Sequence, residues 1–201
     1  MSLKKHNNTE DKLLWDKFLA GDDKAYAFFY RKYIGSLLSY GMRFTPDREL
    51  VKDCIQDVFV KIYSNRKNLQ QTDNVKLYLF MALKNTLFNF FKKDRTSYHI
   101  DTIEPVFSIE YSIEDHLIAD EIEQERQKKM SLILESLTPR QKEVIFYRYV
   151  EGMSLDDICK IMDMNYQSVQ NLIQRSIKKV RNAFAKKDKS ILSIKFISRC
   201  L

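Results

Sequence analysis

The stretch from 151 to 175 constrains the fold more than any other, because it predicts two short helices joined by a tight turn. Ser154 followed three residues later by Asp157 is an N-terminal capping pattern, and apolar residues then recur at helical spacing. Residues 163–165 interrupt this period, and Asn165 is a good cap for a second, longer helix. The apolar positions are Leu155, Ile158, Cys159 and Met162 on the first helix and Val169, Leu172, Ile173, Ile177, Val180 and Phe184 on the second. A helix of about nine residues, a short turn and a second amphipathic helix form the helix-turn-helix pattern.

The other face of the second helix carries polar side chains of the types that contact DNA. Glutamine, asparagine and arginine can bond base edges in pairs, and lysine suits the phosphates. The residues predicted to contact duplex DNA are Gln167, Ser168, Gln170, Asn171, Gln174, Arg175, Lys178 and Lys179. Alternatively, this is an ordinary amphipathic helix with a solvated polar face, and the pattern by itself leaves both interpretations open.

A shortage of helix-breaking residues extends the helical prediction to the whole chain. Four Gly and three Pro among 201 residues, with no alternating apolar runs, predict a nearly all-helical protein of one or two domains. No stretch approaches about 18 uninterrupted apolar residues and the N-terminus lacks a signal-peptide core, so we expect a soluble cytoplasmic protein without membrane insertion. Cys54, Cys159 and Cys200 are odd in number and far apart. Cys54 and Cys159 both lie on apolar helix faces, which favours buried free thiols over disulfides or metal ligands.

The charged residues fall into three blocks. Residues 1–95 hold 18 basic and 11 acidic side chains, residues 96–135 hold 3 and 10, and residues 136–201 hold 13 and 6. The net charges of the blocks are therefore +7, −7 and +7. This pattern suits two nucleic-acid-binding modules joined by a connector that stays off the DNA, although a solvated acidic linker needs no function.

Helical periodicity in the first half predicts four helices. The first is marked by Leu13, Leu14, Phe18 and Leu19. The second ends at Gly41, and the third is expected to begin with Thr45 as its cap and Pro46 at the first helical position. A polar loop from Asn65 to Asp73 follows, and its length makes it a candidate functional loop.

The fourth predicted helix, about Asn74 to Arg95, mixes amides, cations and aromatic rings. Its predicted core stripe is Val75, Leu79, Ala82, Leu83, Leu87 and Phe90. An unstacked single strand would need this mixture, because cations suit its backbone, rings stack on its bases and amides bond base edges. The candidate contacts are Lys84, Asn85, Asn89, Lys92, Lys93 and Arg95. Alternatively, the rings belong to the core and the lysines face solvent.

The middle of the chain is interpreted as a connector. Residues 96–116 show no clear period and include Pro105, so they are interpreted as a linker, and an acidic helix is expected from about Ser112 to Glu135. A capping box of Thr138 and Gln141 around Pro139 then starts a new helix. That helix is expected to continue through Val144, Ile145, Tyr149 and Val150 to a stop at Gly152.

The two halves together resemble a bacterial sigma factor of the extracytoplasmic-function group, the small kind built from sigma domains 2 and 4. The resemblance is carried by residues 137–144, 148–158 and 165–173 with Arg175 and 178–181, and by residues 53–59 and Asn85-Thr86 with Asn89. It implies an all-α fold of two small helical domains joined by a flexible linker. The implied boundaries are 9–95 for sigma domain 2, 96–116 for the linker, 117–189 for sigma domain 4 with its helix-turn-helix, and 190–201 for a tail of unknown role.

The resemblance also implies partners and roles. Asp53, Gln56 and Asp57 would face core RNA polymerase, and the loop from 65 to 73 would hold a base flipped out of the −10 element. The candidates on the fourth helix would contact the opened −10 strand, and those on the last helix would read the −35 element as duplex. An anti-sigma protein usually holds such factors inactive. The family commonly has Gly where this chain has Asp163, which tolerates the left-handed conformation better than most residues.

The predicted function is that of a non-enzymatic transcription initiation factor that gives core polymerase its promoter specificity. The alternative is a DNA-binding regulator with a helical sensor or dimerisation domain, which would keep only the helix-turn-helix. Catalysis is disfavoured because the pairs Asp22-Asp23 and Asp156-Asp157 lie at helix starts, where capping explains them. His6, His99 and His116 show no ligand spacing and no Gly-rich phosphate loop is present, so neither cofactor nor metal is expected.

Overall fold

The computed structural model describes residues 3–98, 106–108 and 134–185, with side chains for 9–93, 106–108 and 134–183. The chain divides into two compact units, Met1–Pro105 and Val106–Leu201. The described secondary structure is helical with no strand, which confirms the predicted all-α fold class. Within these ranges, no helix combines the length and the apolar character that a membrane crossing requires.

Four helices build the first unit. They are α1 (Leu3–Leu19), α2 (Asp23–Gly41), α3 (Arg48–Ser64) and α4 (Val75–Tyr98), with a 3₁₀ turn at Arg66–Asn68 between the last two. Aromatic side chains fill the core, with Trp15, Phe18, Phe29, Tyr40 and Phe80 all buried. Several of the rings pack edge-on or tilted, as between Trp15 and Phe29 with centroids 5.7 Å apart and between Tyr40 and Phe80 at 4.8 Å.

The buried face of α1 differs from the predicted one. Leu13 is 61% exposed, whereas Asp11, Trp15 and Phe18, spaced i, i+4 and i+7, are buried. Of the four predicted positions only Phe18 is buried, and the row begins with an acid, which apolar periodicity does not count. Lys32 and Tyr33 of α2 both donate hydrogen bonds to the Asp11 carboxylate, and these partners make its burial tolerable.

Side-chain caps set the starts of α2 and α3. Asp22 accepts hydrogen bonds from the backbone N–H groups of Lys24 and Ala25 at the start of α2. The start of α3 was predicted two residues too early: the cap is Asp47, which accepts from the Leu50 N–H at 3.0 Å. The hydroxyl of Thr45 instead accepts from the Asp47 N–H at 3.2 Å, in the turn before the helix.

In addition to the helical residues 134–136, the second unit has three described helices. They are α5 (Pro139–Ile145), α6 (Leu155–Met162) and α7 (Tyr166–Ala185), with a π-helical turn at Phe146–Val150 between the first two. The predicted capping box of Thr138 and Gln141 is present, with Pro139 at the first position of α5.

The π-helical turn changes which residues are buried after Ile145. The Glu151 N–H bonds the Phe146 carbonyl at 3.0 Å, five residues back, and Gly152 ends the helix at φ 62°. Because a π turn takes more residues than an α turn, the apolar positions shift around the axis. Phe146 and Tyr147 are therefore buried, whereas Tyr149 and Val150, predicted to extend the apolar face, are only half-buried.

One aromatic residue of the predicted linker belongs to the core of the second unit. Phe107 is 2% exposed, and its ring centroid lies 5.5 Å from that of Phe146 and 6.4 Å from that of Tyr147. Other parts of the connector, including the predicted acidic helix up to residue 133, lie outside the described residues. The same holds for the tail 190–201 with Cys200, for His99 and His116, and for the side chains of His6 and Arg95.

Candidate nucleic-acid interface

The predicted helix-turn-helix is present, and side chains define each of its ends. Ser154 and Asp157 form the capping box that starts α6. The turn holds three residues, of which Asp163 adopts the left-handed conformation at φ 51°, as its residue type permits. Asn165 Oδ1 then accepts a hydrogen bond from the Ser168 N–H at 2.8 Å and caps α7.

A ridge of exposed polar side chains runs along α7. Gln167, Asn171, Gln174 and Lys178, spaced i, i+4, i+7 and i+11, are all exposed. The buried row of Val169, Ile173, Ser176 and Val180 lies on the opposite side. Ser176 was absent from the predicted apolar face, and its burial is tolerated because its hydroxyl donates to the Leu172 carbonyl at 2.7 Å.

The remaining predicted contacts flank this ridge. Arg175 and Lys179 are exposed, and Ser168 and Gln170 are half-buried. The sequence of α7 contains no Asp or Glu, so no acid on this helix offsets the positive charge of its exposed Arg and Lys side chains. Tyr166, which is not among the predicted DNA contacts, is 48% exposed in the first turn beside Gln167. The face therefore presents amides and an aromatic ring near the start of the helix and cations further along it.

A second ridge lies on α4. Asn85, Asn89 and Lys92, spaced i, i+4 and i+7, are exposed on the side opposite the buried Leu83 and Leu87. Lys93 is exposed beside them, and Lys84 is half-buried with its Nζ 5.9 Å from the centroid of the Phe88 ring.

The core stripe of α4 ends one turn earlier than predicted. Phe90 is 43% exposed rather than buried, and no described α4 side chain beyond Leu87 is buried. The helix therefore runs past the hydrophobic core of its unit. The exposed Phe90 ring, whose centroid lies 6.1 Å from that of Phe91, adds an aromatic surface of the kind on which bases stack.

The loop from Asn65 to Asp73 joins α3 to α4 and contacts α1 and the start of α2. Trp15 Nε1 donates a hydrogen bond to the carbonyl of Gln70 at 3.2 Å, and Arg66 Nη1 lies 3.4 Å from Asp23 Oδ1. Asn74 then caps α4 by accepting from the Leu77 N–H at 3.0 Å. The amide side chains at 65, 68, 70 and 71 are exposed, so the loop presents several hydrogen-bonding groups from an attached backbone.

Comparison with known proteins decides the family. The family model described as Sigma-70 region 2 matches residues 29–96, and the model described as Sigma-70, region 4 matches residues 127–180. Together they cover more than half of the chain. Relatives that match most of this chain include the ECF RNA polymerase sigma-E factor of Escherichia coli K12, with 23% identity over 86% of this chain and 93% of the relative. The chain belongs to the extracytoplasmic-function group of the sigma-70 family.

A further relative is also a sigma factor, and two solved structures share the fold. The sigma factor YlaC of Bacillus subtilis strain 168 is 22% identical over 73% of this chain and 84% of the relative. The structure of CnrH, solved with the cytosolic domain of CnrY, covers 89% of this chain and 99% of CnrH at a TM-score of 0.56 and 17% identity. The match to the sigma factor RpoE of Bartonella quintana, solved with the anti-sigma factor NepR, covers 82% of this chain and 99% of RpoE. Its TM-score is 0.57 and the sequence identity is 16%. The predicted family and fold class are confirmed, and this sigma factor is a transcription initiation factor that joins core RNA polymerase to promoter DNA.

A third surface of this sigma factor lies on α3. Asp53, Gln56 and Asp57, predicted to face the polymerase, are all exposed. Val60, which is not among the predicted polymerase contacts, continues the same stripe and is 53% exposed. Cys54 lies buried on the opposite side, and burial raises the pKa of its thiol, so an inert structural role suits it.

Three of the four acids considered for catalysis have structural roles. Asp22 and Asp157 cap helices, and Asp23 accepts hydrogen bonds from Tyr63 and Arg66. In the described ranges, no group of three His, Cys, Asp or Glu residues could hold a metal ion. Cys159 is half-buried rather than buried, and Cys54 and Cys159 are free thiols.

Proposed function

We propose that this sigma factor holds its promoter with two separate helical surfaces. The α7 surface reads the −35 element as duplex, through Gln167, Ser168, Gln170, Asn171, Gln174, Arg175, Lys178 and Lys179. The α4 surface and the loop from 65 to 73 capture the −10 element as a single strand, through Lys84, Asn85, Asn89, Lys92, Lys93 and Arg95. The observation that carries the proposal is the α7 ridge of exposed amides and cations within the region-4 match.

Duplex recognition by α7 is supported by the chemistry and position of its side chains. A helix of this kind enters the major groove with its N-terminal residues toward base edges. Here the amides of Gln167 and Asn171 lie in the first turns, and the cations of Lys178 and Lys179 lie about two to three turns further along. This order suits contacts with base edges near the start of the helix and contacts with phosphates further along it.

Single-strand capture by α4 is supported by a different combination. Asn85 and Asn89 offer amides to base edges, Lys92 and Lys93 offer charge to the backbone, and Phe90 offers an exposed ring. Asn85 faces away from the hydrophobic core, and the end of α4 carries the other groups beyond it, where an unpaired strand can reach them. The neighbouring loop adds further exposed amides.

The polymerase-binding surface in this proposal is the α3 stripe of Asp53, Gln56 and Asp57, extended by Val60. Two acids of this stripe border an exposed apolar side chain. The stripe would therefore fit a partner surface with basic groups around an apolar centre. By this proposal the factor acts in the cytoplasm, where core polymerase and the chromosome lie.

The proposed domain boundaries are 9–95 for sigma domain 2, 96–116 for the linker, 117–189 for sigma domain 4 and 190–201 for the tail. The two family models, at 29–96 and 127–180, fall within the two proposed domains. Phe107 suggests that part of the linker travels with domain 4, because its ring packs among residues of that unit.

We also propose that an anti-sigma protein holds this factor inactive. The support is that RpoE of Bartonella quintana, which has a similar fold, was solved with the anti-sigma factor NepR. An inhibitor that covers the α3 stripe would compete with core polymerase, so excess core should displace it from the factor.

The decisive experiment is transcription with purified components. Core RNA polymerase and this protein are incubated with genomic DNA of the source bacterium, and the transcripts are sequenced. We expect discrete start sites that share upstream −35 and −10 sequences and that disappear without the protein. Failure to initiate at any promoter would contradict the proposal, and tight binding to a palindromic duplex without polymerase would favour the alternative of a simple regulator.

A further inference from the structure

The loop from Asn65 to Asp73 is held at three points by the N-terminal part of the chain. At its start, Arg66 Nη1 lies 3.4 Å from Asp23 Oδ1. In its middle, Trp15 Nε1 donates to the Gln70 carbonyl at 3.2 Å, across 55 residues of sequence. At its end, Lys12 Nζ lies 2.5 Å from Asp73 Oδ1. This loop is therefore attached to α1 and to the start of α2, neither of which carries a candidate DNA contact.

The three attachments differ in strength. The Lys12 and Asp73 side chains are 48% and 85% exposed, and the Asp23 side chain is 70% exposed. Such exposed ion pairs contribute little to stability because water and salt screen them. The Trp15 ring is only 2% exposed, so its N–H has poor access to water and depends on the Gln70 carbonyl. The Trp15 bond is therefore the attachment expected to matter most.

The position of Trp15 Nε1 is itself determined by close packing. The Trp15 ring centroid lies 5.3 Å from that of Phe18, 5.7 Å from that of Phe29 and 5.4 Å from that of Tyr78. These contacts connect the indole to α1, α2 and the first turn of α4. The Gln70 carbonyl is therefore held relative to the same helix that carries Asn85 and Asn89.

The loop residues beside this anchor face outward. The side chains of Lys67, Asn68, Gln70 and Gln71 are exposed, although the backbone between them is tied to Trp15. Their amides can donate and accept hydrogen bonds along the edge of an unpaired base. A loop discriminates between bases only if these groups keep their positions when the wrong base arrives, because a mobile loop adapts to either.

We propose that Trp15 is a positioning residue for base selection at the −10 element: its indole N–H, through the Gln70 carbonyl, holds the loop in the conformation that discriminates between bases. Trp15 touches no DNA. The inference rests on the proposed function of the loop, and it adds a determinant of specificity in a helix that lies outside the DNA-contacting surfaces.

The test uses the full chain with core polymerase on promoter templates that carry each of the four bases at every −10 position. Trp15→Phe keeps an aromatic ring and removes the N–H donor. The matched control is Tyr33→Phe, which removes a different buried hydrogen bond between α1 and α2, to Asp11, without touching the loop. Because Trp15 is the single tryptophan of the chain, the N–H can also be removed by biosynthetic replacement of tryptophan with benzothienylalanine, which nearly keeps the ring shape.

We expect Trp15→Phe to reduce the preference for the best over the worst base at one −10 position by about threefold to tenfold, the effect of one buried hydrogen bond. Dependence on the −35 sequence should stay as in the unaltered factor, and Tyr33→Phe should change base preference by less than about twofold. Hydrogen exchange of the free protein should quicken in residues 65–74 for Trp15→Phe alone. If Trp15→Phe unfolds the unit, the benzothienylalanine protein carries the same expectations.

Two results would overturn the inference about Trp15 and leave the proposed function of the loop in place. Equal loss of preference in Trp15→Phe and Tyr33→Phe, or unchanged preference in a folded protein without the indole N–H, would show that Trp15 has no positioning role. Asn68→Ala and Gln71→Ala distinguish the underlying proposal. If both leave base preference unchanged, the loop does not read the −10 element, and the proposed function of the loop is wrong together with the inference.

Discussion

Gln167 Nε2 donates a hydrogen bond to Asn171 Oδ1, at 3.2 Å, on the exposed ridge of α7. The bond joins two amides one helical turn apart and leaves the Gln167 oxygen and the Asn171 nitrogen for other partners. Amide side chains of this kind bond adenine through paired contacts in the major groove. The two residues are therefore expected to read the −35 element as one unit.

The first prediction is that Gln167 and Asn171 are energetically coupled. Each single change to Ala should weaken binding of the holoenzyme to a −35 duplex by about 1–3 kcal/mol. The loss of binding free energy in the double variant should be smaller than the sum of the two single losses by about 0.5 kcal/mol or more, because either change alone disrupts the pair. A double-mutant cycle at fixed salt measures the coupling, with the exposed Asn182→Ala as control on the same helix. Strict additivity would show that the two amides act independently.

Asn89 and Arg175 should affect different steps of initiation, since they lie in different units. Asn89→Ala is expected to impair promoter opening and leave −35 contact largely intact, whereas Arg175→Ala should do the reverse. Permanganate reactivity of unpaired thymines at −10 reports opening, and nuclease protection reports −35 contact. Equal loss of both steps in both variants would argue against this division.

Val60 should contribute to polymerase binding through its exposed apolar side chain. It is 53% exposed beside Asp57 and Gln56, so Val60→Asp should leave the fold intact while weakening affinity for core polymerase by about 1–3 kcal/mol. Titration of labelled factor with core polymerase measures the effect. Lys24→Ala, on the exposed surface of α2, is the control and should bind as the unaltered factor does. Unchanged affinity of Val60→Asp would place the interface elsewhere.

Asp163 should tolerate glycine better than alanine, because its φ of 51° lies in the left-handed region. Asp163→Ala is expected to destabilise the segment from α6 to α7 by about 1–2 kcal/mol, whereas Asp163→Gly should be nearly neutral. Native-state hydrogen exchange of amides in α6 and α7 measures this difference. A more stable Ala than Gly variant would contradict the conformational explanation.

Tyr33 should make the first unit sensitive to alkaline pH. Burial, followed by the hydrogen bond to Asp11, raises the pKa of Tyr33 above its ordinary value of 10.0. The unfolded chain would release this proton at the ordinary value while the folded chain keeps it. The contribution to stability is therefore complete below pH 10 and is lost as the pH rises through the folded pKa.

Tyr33→Phe tests this pH dependence. It should lower the free energy of unfolding by about 1–3 kcal/mol at neutral pH, because a buried carboxylate loses a donor. It should also make stability fall less steeply above pH 10 than in the unaltered protein. Denaturant unfolding between about pH 7 and pH 11 measures both quantities, with exposed Tyr30→Phe as control. Equal alkaline slopes would exclude Tyr33 as their source.

Rules that act over a few residues were sufficient for the helix-turn-helix. Ser154 and Asp157 cap α6, and Asn165 caps the helix that begins at the next residue, so their spacing alone predicted these ends. The polar ridge of α7 follows from the same helical period. The π-helical turn at Phe146 was beyond such rules, because no local spacing indicates where a helix takes an extra residue.

The buried face of α1 could not be predicted from periodicity. Asp11 is buried only because Lys32 and Tyr33 supply its hydrogen bonds, and those partners lie 21 and 22 residues away in sequence. Trp15 is the single tryptophan of the chain, but its bond to Gln70 depends on the packing of α1 against the loop, which no sequence pattern indicates.

The amino-acid sequence by itself determined the helical elements, most of their caps, the polar ridges and the family, since each depends on residue type within one or two helical turns. Only the tertiary structure decided which side of α1 is buried, where α4 leaves the core and what holds the loop from 65 to 73. These features depend on contacts between residues that are far apart along the chain, and a pattern read along one helix contains no information about its neighbours.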